Sequence, residues 1–317
     1  MRTDPVIDVI IPVYRPDPDF SELLMMLEKQ QTAVRRIILM ITEDPRAEYP
    51  DFSRYDNIEC HSLKREDYDH GGTRNRGIAY SDADYVLLMT QDAVPADDRL
   101  TEKLLESFRE EDVASAYACQ LPKADCRPIE AFTRQFNYPA ESFTKSAEDL
   151  PRLGIKTYFC SNAAAMYDRR VLQELGGFTA HTIFNEDMIY ACAVINHGYR
   201  IAYVADAQVY HSHNYSGREQ LQRNFDLAVS QADHPEVFAE LSSEKEGASL
   251  VKKTVKHLFS TGKWYYVPYL VYQSGMKYIG YFLGKRYRKL PRRCVRRLSM
   301  NKGYWEEKSG TDQSDTL

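Results

Sequence analysis

Tyr85-Val-Leu-Leu-Met89 is an unbroken apolar run of five residues, closed on its carboxyl side by Thr90-Gln-Asp-Ala-Val-Pro95. A run so short and apolar at every position predicts a strand buried on both faces rather than a helix. Such strands build mostly parallel sheets covered by helices, in which ligands bind beyond the carboxyl ends of the strands. Asp92 falls at that edge. Its carboxylate can hold a hard divalent cation, which in turn can neutralise a diphosphate, or it can cap the helix expected over residues 99–109.

The preceding residues repeat the theme. Asp8-Val-Ile-Ile-Pro-Val-Tyr14 reads as a first buried strand, with Pro12 ending its ladder near a sheet edge. Residues 19–30 follow with Phe20, Leu23, Leu24 and Leu27 at helical spacing, then a second strand over 36–42 and a third over 58–63. Strand, helix, strand in that order predicts βαβ units, so residues 1–100 read as a nucleotide-binding half. Between the third strand and Tyr85 lies Asp69-His-Gly-Gly-Thr-Arg-Asn-Arg-Gly77. Gly71 and Gly72 let backbone approach a ligand, and Thr73 can cap a helix whose amides attract phosphate, with Arg74 and Arg76 beside it. The same Gly-Gly pair can equally be a plain turn. The segment has neither the Walker lysine nor the GxGxxG spacing.

Residues 113–153 are the least legible, with 130–136 and the polar stretch to Pro151 reading as a helix and a mobile loop over the site. Residues 157–167 resume a strand-like run, and a short helix over 170–175 stops at Gly176-Gly177. Phe184-Asn-Glu-Asp-Met-Ile-Tyr-Ala191 opens a helix with two acids, which suit a helix N-terminus through its dipole. Strand-like residues 200–204 and 207–213 come next.

Composition matters most at the C-terminal end. Residues 251–303 carry fourteen Lys or Arg and no Asp or Glu, leaving the rest of the chain with 27 basic against 46 acidic residues. The two parts therefore face different partners. Phe259, Trp264, Tyr265, Tyr266, Tyr269 and further aromatics interleave with the basic residues, the chemistry of an anionic membrane surface or else of a packed accessory helix with a solvated basic face. Residues 264–283 approach spanning length but are interrupted by Pro268, Gln273, Ser274 and Lys277, so they are expected to lie on the bilayer. No nucleic-acid-binding module is visible, and nucleic acid is not an expected partner. With 43% hydrophobic and 27% charged residues the chain is globular, one large domain plus an appendage. No signal-peptide pattern opens it, and six scattered cysteines without a CxxC pair are expected to be reduced thiols used in packing.

Taken in order, Pro12-Val13-Tyr14, Arg74-Asn75-Arg76-Gly77, the Asp92 strand end, Gly176-Gly177-Phe178, Glu186-Asp187, Gly198-Tyr199-Arg200-Ile201 and Val209-Tyr210-His211 resemble family-two inverting glycosyltransferases. The variants around Asp69 and Thr90 are most similar to bacterial rhamnosyltransferases of surface polysaccharide synthesis. The resemblance covers residues 6–225. It implies an α/β GT-A fold, Rossmann-like with a mostly parallel sheet, over residues 1–225: a nucleotide-binding half to about residue 100 and an acceptor and catalytic half from 101. A helical membrane-associating extension over 226–303 and a polar, disordered tail over 304–317 would follow.

The resemblance further implies that Pro12, Val13, Tyr14, Glu43, Gly72, Arg74, Thr90, Gln91 and Asp92 bind a nucleotide-sugar. Asp92 and His211 would ligate a divalent cation, Mg2+ or Mn2+, with His213 as the alternative to His211. Thr90 departs from the family pattern, standing where its first acid would be. Asp187 would be the base that deprotonates the acceptor, and Glu186 would raise its proton affinity or bind the acceptor. The donor implied is dTDP-rhamnose and the acceptor a lipid-linked glycan, at the cytoplasmic face of the cell membrane, to which the protein would bind peripherally. A UDP-hexose or UDP-N-acetylhexosamine donor, or an inactive sugar-nucleotide-binding or scaffold subunit, are the alternatives.

Overall fold

The short apolar runs are neighbouring strands of one nine-stranded sheet in the order β3-β2-β1-β4-β8-β6-β9-β5, with β7 also paired to β9. The computed structural model describes residues 5–239 and 244–307. Its first unit takes residues up to 125, then 134–180 and 186–212. Along the chain it contains β1 (Ile7–Val13), α1 (Asp19–Glu28), β2 (Val34–Thr42), β3 (Ile58–Leu63), α2 (His70–Ala79), β4 (Tyr85–Met89), β5 (Val94–Pro95), α3 (Leu100–Glu106) and β6 (Val113–Leu121). Helix α4 (Pro128–Asn137) follows, its second half in this unit. Then come β7 (Phe143–Lys145), α5 (Leu150–Leu153), β8 (Ala164–Asp168), α6 (Arg169–Glu174), α7 (Glu186–Asn196) and β9 (Arg200–Tyr210).

Strands β3, β2, β1 and β4 are mutually parallel, β8 runs antiparallel to β4 and β6, and β6 is again parallel to β9. The α1 residues Phe20, Leu23, Leu24 and Leu27 are all buried on this sheet, as their spacing predicts. Pro12 is not at an edge, because β1 lies between β2 and β4. Its register with β4 stops at Ile10, so the missing N–H removes no ladder bond on that side. Helix α3 begins at Leu100 after Arg99 without a side-chain cap, so Asp92 does not cap it. Helix α2 is capped by Asp69, not Thr73: the Asp69 carboxylate accepts from the Gly72 amide, and the Thr73 hydroxyl accepts from the Asp69 amide at 3.1 Å. That amide is therefore already engaged. Gly71 is required for packing, since a Cβ there would lie 2.0 Å from the Thr179 carbonyl oxygen.

The second unit comprises residues 126–133 and 181–185 and the described residues from 213 onward. Its helices are α8 (Gly217–Asp233), α9 (Pro235–Phe238), α10 (Glu244–Ser260), α11 (Val267–Gly284), α12 (Arg292–Leu298) and α13 (Tyr304–Glu307). The expected division at 225 falls inside α8. Phe225 is a core residue here, packed with Ile183, Val229, Val295 and Trp305. Trp305 is buried, so the expected disorder does not begin at 304; the remainder of that tail, 308–317, lies outside the described residues. The six cysteines are free, as expected, but only Cys119, Cys160 and Cys192 are buried, while Cys60 and Cys294 are exposed.

Helix α11 lies against α8 through glycines: a Cβ on Gly280 would stand 2.1 Å from the Leu221 carbonyl oxygen, and one on Gly284 2.3 Å from that of Phe225. Overpacking of a tight contact costs about 1–3 kcal/mol. Gly280→Leu is expected to lower the unfolding free energy of the full chain by at least that much. Gly275→Ala, in open space on the same helix, should instead leave stability unchanged or raise it by up to about 1 kcal/mol. Equal responses in urea unfolding would contradict this packing.

Candidate active site

Glu186 and Asp187 open α7, and the chain treats the two neighbouring acids differently. Glu186 is 7% exposed and pairs with the buried guanidinium of Arg74 at 3.1 Å, while the Asn162 amide nitrogen donates to the same Oε1 at 3.3 Å. Burial alone would raise the Glu186 carboxyl, but Arg74 and His70 more than offset it, so it stays ionised below its ordinary range. Asp187 is half-buried. Its Oδ1 accepts from the Met188 amide at 2.8 Å and its Oδ2 from the Asn162 amide at 3.4 Å. Burial first, and the Glu186 charge second, push its pKa up to about 7. One carboxylate is thus held charged and its neighbour is poised to take a proton near neutrality.

Arg74 also donates to the His70 carbonyl at 2.8 Å, and its Nε is a buried donor without a partner. The next residue, Asn75, ties helix α2 to the segment after Gly177: its side chain accepts from the Phe178 amide at 2.9 Å and donates to the Phe178 carbonyl at 2.8 Å. The Arg-Asn-Arg-Gly motif and the Gly-Gly-Phe motif are therefore two halves of one clamp.

Asp92 follows β4 in a turn, and His211 follows β9; the His211 Nε2 lies 3.5 Å from Asp92 Oδ2. Gln120 on β6 settles which way the ring is protonated. Its Oε1 accepts from Arg134, a group that can only donate, and the same oxygen lies 2.9 Å from His211 Nδ1. Nδ1 therefore donates to Gln120, which turns Nε2 toward Asp92. The nearby Thr90 hydroxyl is buried without a hydrogen-bond partner. A carboxylate, an imidazole nitrogen and a hydroxyl are ligand types that fit a divalent cation. Lys123 carries further charge here: burial would lower it, but its ion pair with Asp19 at 2.5 Å and the Asp92 charge hold it above its ordinary value. His213 belongs to the second unit, where it stacks on Tyr215 with ring centroids 5.0 Å apart. Strand β9 ends at Tyr210, so the strand-like run expected over 207–213 stops three residues short of His213.

The acid pair and the Asp92–His211 pair are joined through adjacent residues: Gln120 donates to Ser161 Oγ at 2.8 Å, and Asn162 holds both acids. Removing the Gln120 acceptor releases the His211 tautomer. Gln120→Ala is expected to weaken Mn2+ binding by about 10- to 100-fold, read by calorimetry with the protein otherwise folded; unchanged Mn2+ affinity would contradict the assignment.

At the other rim, the Gln91 amide pairs with the Tyr14 backbone in both directions, at 2.8 and 3.0 Å, tying the end of β1 to the end of β4. Val13 is buried and Pro12 half-buried beside it. The Arg15 and Arg65 guanidinium groups lie 5.3 and 5.5 Å from the Tyr14 ring centroid. Glu43 is exposed. The carboxylate that meets Tyr14 is Asp44, accepting from its hydroxyl at 3.1 Å and from Arg15 at 2.7 Å. Asp44, Gln120, Asn162 and Lys123 are thus site residues that the sequence reading does not single out. Ser161-Asn162, a polar pair inside a strand-like run, is the signal that was available.

The family model of Glycosyl transferase family 2 matches residues 8–176. The O-antigen chain rhamnosyltransferase RfbN of Salmonella typhimurium is 36% identical over 301 residues, covering 94% of this chain and 96% of that protein. WbaN of Salmonella anatum, also named an O-antigen chain rhamnosyltransferase, is 35% identical, covering 95% and 96%. Among solved structures, the mannosyltransferase PcManGT from Pyrobaculum calidifontis, in complex with GDP-Man and Mn2+, matches with a TM-score of 0.59 at 14% identity over 89% of this chain and 88% of that one. S. aureus TarS in complex with UDP matches with a TM-score of 0.53 at 14% identity, covering 90% and 91%. At such identities these structures speak for the fold.

Proposed function

The chain belongs to glycosyltransferase family 2, and we propose that it transfers L-rhamnose from dTDP-rhamnose, with inversion, to a hydroxyl of a lipid-linked glycan in O-antigen or other surface polysaccharide synthesis. The names of the two Salmonella relatives, which match nearly end to end, support the sugar and the polymer. The observation that carries the chemistry is Asp187, a half-buried carboxylate whose pKa is pushed up to about 7 beside an ion-paired Glu186. A single base suffices, because the diphosphate departs on its own charge. The acceptor oxygen attacks the anomeric carbon while its proton passes to an Asp187 carboxylate oxygen. The bond from that carbon to the diphosphate oxygen breaks on the opposite side, and its electrons stay with the departing dTDP.

Asn162 and Met188 aim the Asp187 carboxylate through their amides, and Arg74 keeps Glu186 charged so that Asp187 holds its proton affinity. Asp92 and His211, with the Thr90 hydroxyl, would hold the cation, and His213, two residues along the chain from His211, is the further candidate. Mg2+ or Mn2+ bound there would neutralise charge on the diphosphate. Pro12, Val13 and Tyr14 would border the base, with Glu43 or Asp44 toward the ribose. Gly72, Arg74 and Gln91 would line the nucleotide side. The acceptor's lipid anchor and the basic second unit together support work at the cytoplasmic face of the membrane, peripherally bound.

Calorimetry with a panel of dTDP- and UDP-sugars, with and without Mg2+ or Mn2+, tests the donor. Selective, cation-enhanced binding of dTDP-rhamnose is expected. Preference for a UDP-sugar would replace the donor, and no binding of any would favour a scaffold role.

A further inference from the structure

Helix α11 has two opposite faces. Leu270, Gln273, Gly280 and Gly284 are buried, with the two glycines against α8. Val271, Tyr278, Ile279 and Phe282 are 63%, 64%, 46% and 42% exposed. At about 100° per residue these four fall on one stripe facing away from the glycines. Phe259 at the end of α10 and Trp264 just before α11 are exposed to the same degree, 63% and 61%. Contiguous apolar exposure of this kind marks an interaction surface.

The charge around the stripe says what covers it. Residues 251–303 carry fourteen basic side chains and no acid, and Lys263, Arg286 and Lys289 are exposed at the ends of the helix. The Arg286 guanidinium lies 3.8 Å from the Phe282 ring centroid, so a cation sits directly on the apolar stripe. Apolar and aromatic side chains flanked by Lys and Arg suit the boundary between acyl chains and anionic headgroups. No helix among the described residues is long and apolar enough to cross a membrane, and α11 commits one face to α8.

We propose that the stripe Val271, Tyr278, Ile279 and Phe282, with Trp264, inserts into an anionic lipid surface with α11 lying in its plane. This deepens the membrane-side reading of the proposed function and rests on it. The test is flotation of the full chain with phosphatidylcholine vesicles, with and without phosphatidylglycerol, at low and high salt. Calorimetric dTDP binding on the same proteins reports the enzyme reading separately. Wild type should float only with phosphatidylglycerol vesicles and less at high salt. Val271→Ser/Tyr278→Ser/Phe282→Ser should bind them about tenfold more weakly or worse with dTDP binding unchanged. If that variant misfolds, Lys263→Gln/Arg286→Gln/Lys289→Gln should show the same loss. Brominated lipid should quench the exposed Trp264 and spare the buried Trp305, the chain's other tryptophan. Wild-type flotation by the variants, equal binding to neutral vesicles, or a stripe whose loss only converts a dimer to a monomer would overturn the proposal.

Discussion

Asp187→Asn is expected to lower kcat by about two to four orders of magnitude, the range for loss of a general base, while leaving the affinity for dTDP-rhamnose within a few-fold of wild type. The asparagine keeps the shape and the contact to the Met188 amide region but cannot accept the acceptor's proton. A loss in KM with kcat preserved would instead make Asp187 a binding residue. The pH dependence follows from the same group. A base must be deprotonated to act, so wild-type kcat should rise with pH through about 7, where burial and the Glu186 charge place Asp187. The stability consequence has the opposite direction. Between the ordinary aspartate value and about 7 the native state holds a proton that the unfolded chain has lost, so stability falls as pH rises across that window. Asp187→Asn removes this dependence and should unfold at a higher temperature than wild type at pH 8. A variant less stable than wild type at that pH would show that Asp187 holds the fold rather than burdens it.

The second large effect is at the cation. Asp92→Ala and His211→Ala are each expected to lower kcat/KM by about a hundredfold or more at fixed Mn2+, since a bound cation supplies several kcal/mol of charge stabilisation at a leaving diphosphate. Higher Mn2+ should recover part of the loss in His211→Ala, where the Asp92 carboxylate remains. Calorimetry should show dTDP binding in these variants that no longer responds to the cation. A cation response kept in both would remove Asp92 and His211 as ligands, and His213→Ala would then be the variant to read.

The sheet was legible where the signal is local. Strands β1, β2 and β4 are short apolar runs because they are buried on both faces, and α1 shows its helical spacing because one face packs on them. Strand β6 was not legible: Ala114, Ser115, Ala116, Ala118 and Cys119 are buried on both faces yet too small to stand out as apolar. Strand β9 read as two pieces because its register with β6 slips between Ala118 and Cys119, which pair with Val204 and Gln208. At the site, Asp187 and Asp92 could be singled out by motif order. Gln120 and Asn162 could not, since their roles come from His211 and Asp187, distant in sequence and brought to them only by the folded sheet. Asp69 takes the place of Thr73 as the α2 cap because the helix starts at His70, one turn earlier than expected, which puts Thr73 inside its first turn. In the second unit, the interleaving of aromatic and basic residues was visible, but which side of α11 is exposed depends on Gly280 and Gly284 meeting α8.

A one-base displacement at the anomeric carbon can be tested with the protein, dTDP-rhamnose and water as the acceptor. NMR of the first rhamnose released, read before the free sugar equilibrates, gives the stereochemistry of the transfer. The released sugar is expected to be the anomer opposite to that of the donor, formed by wild type and not by Asp187→Asn. Release of the donor's own anomer, or equal release by the variant, would contradict it.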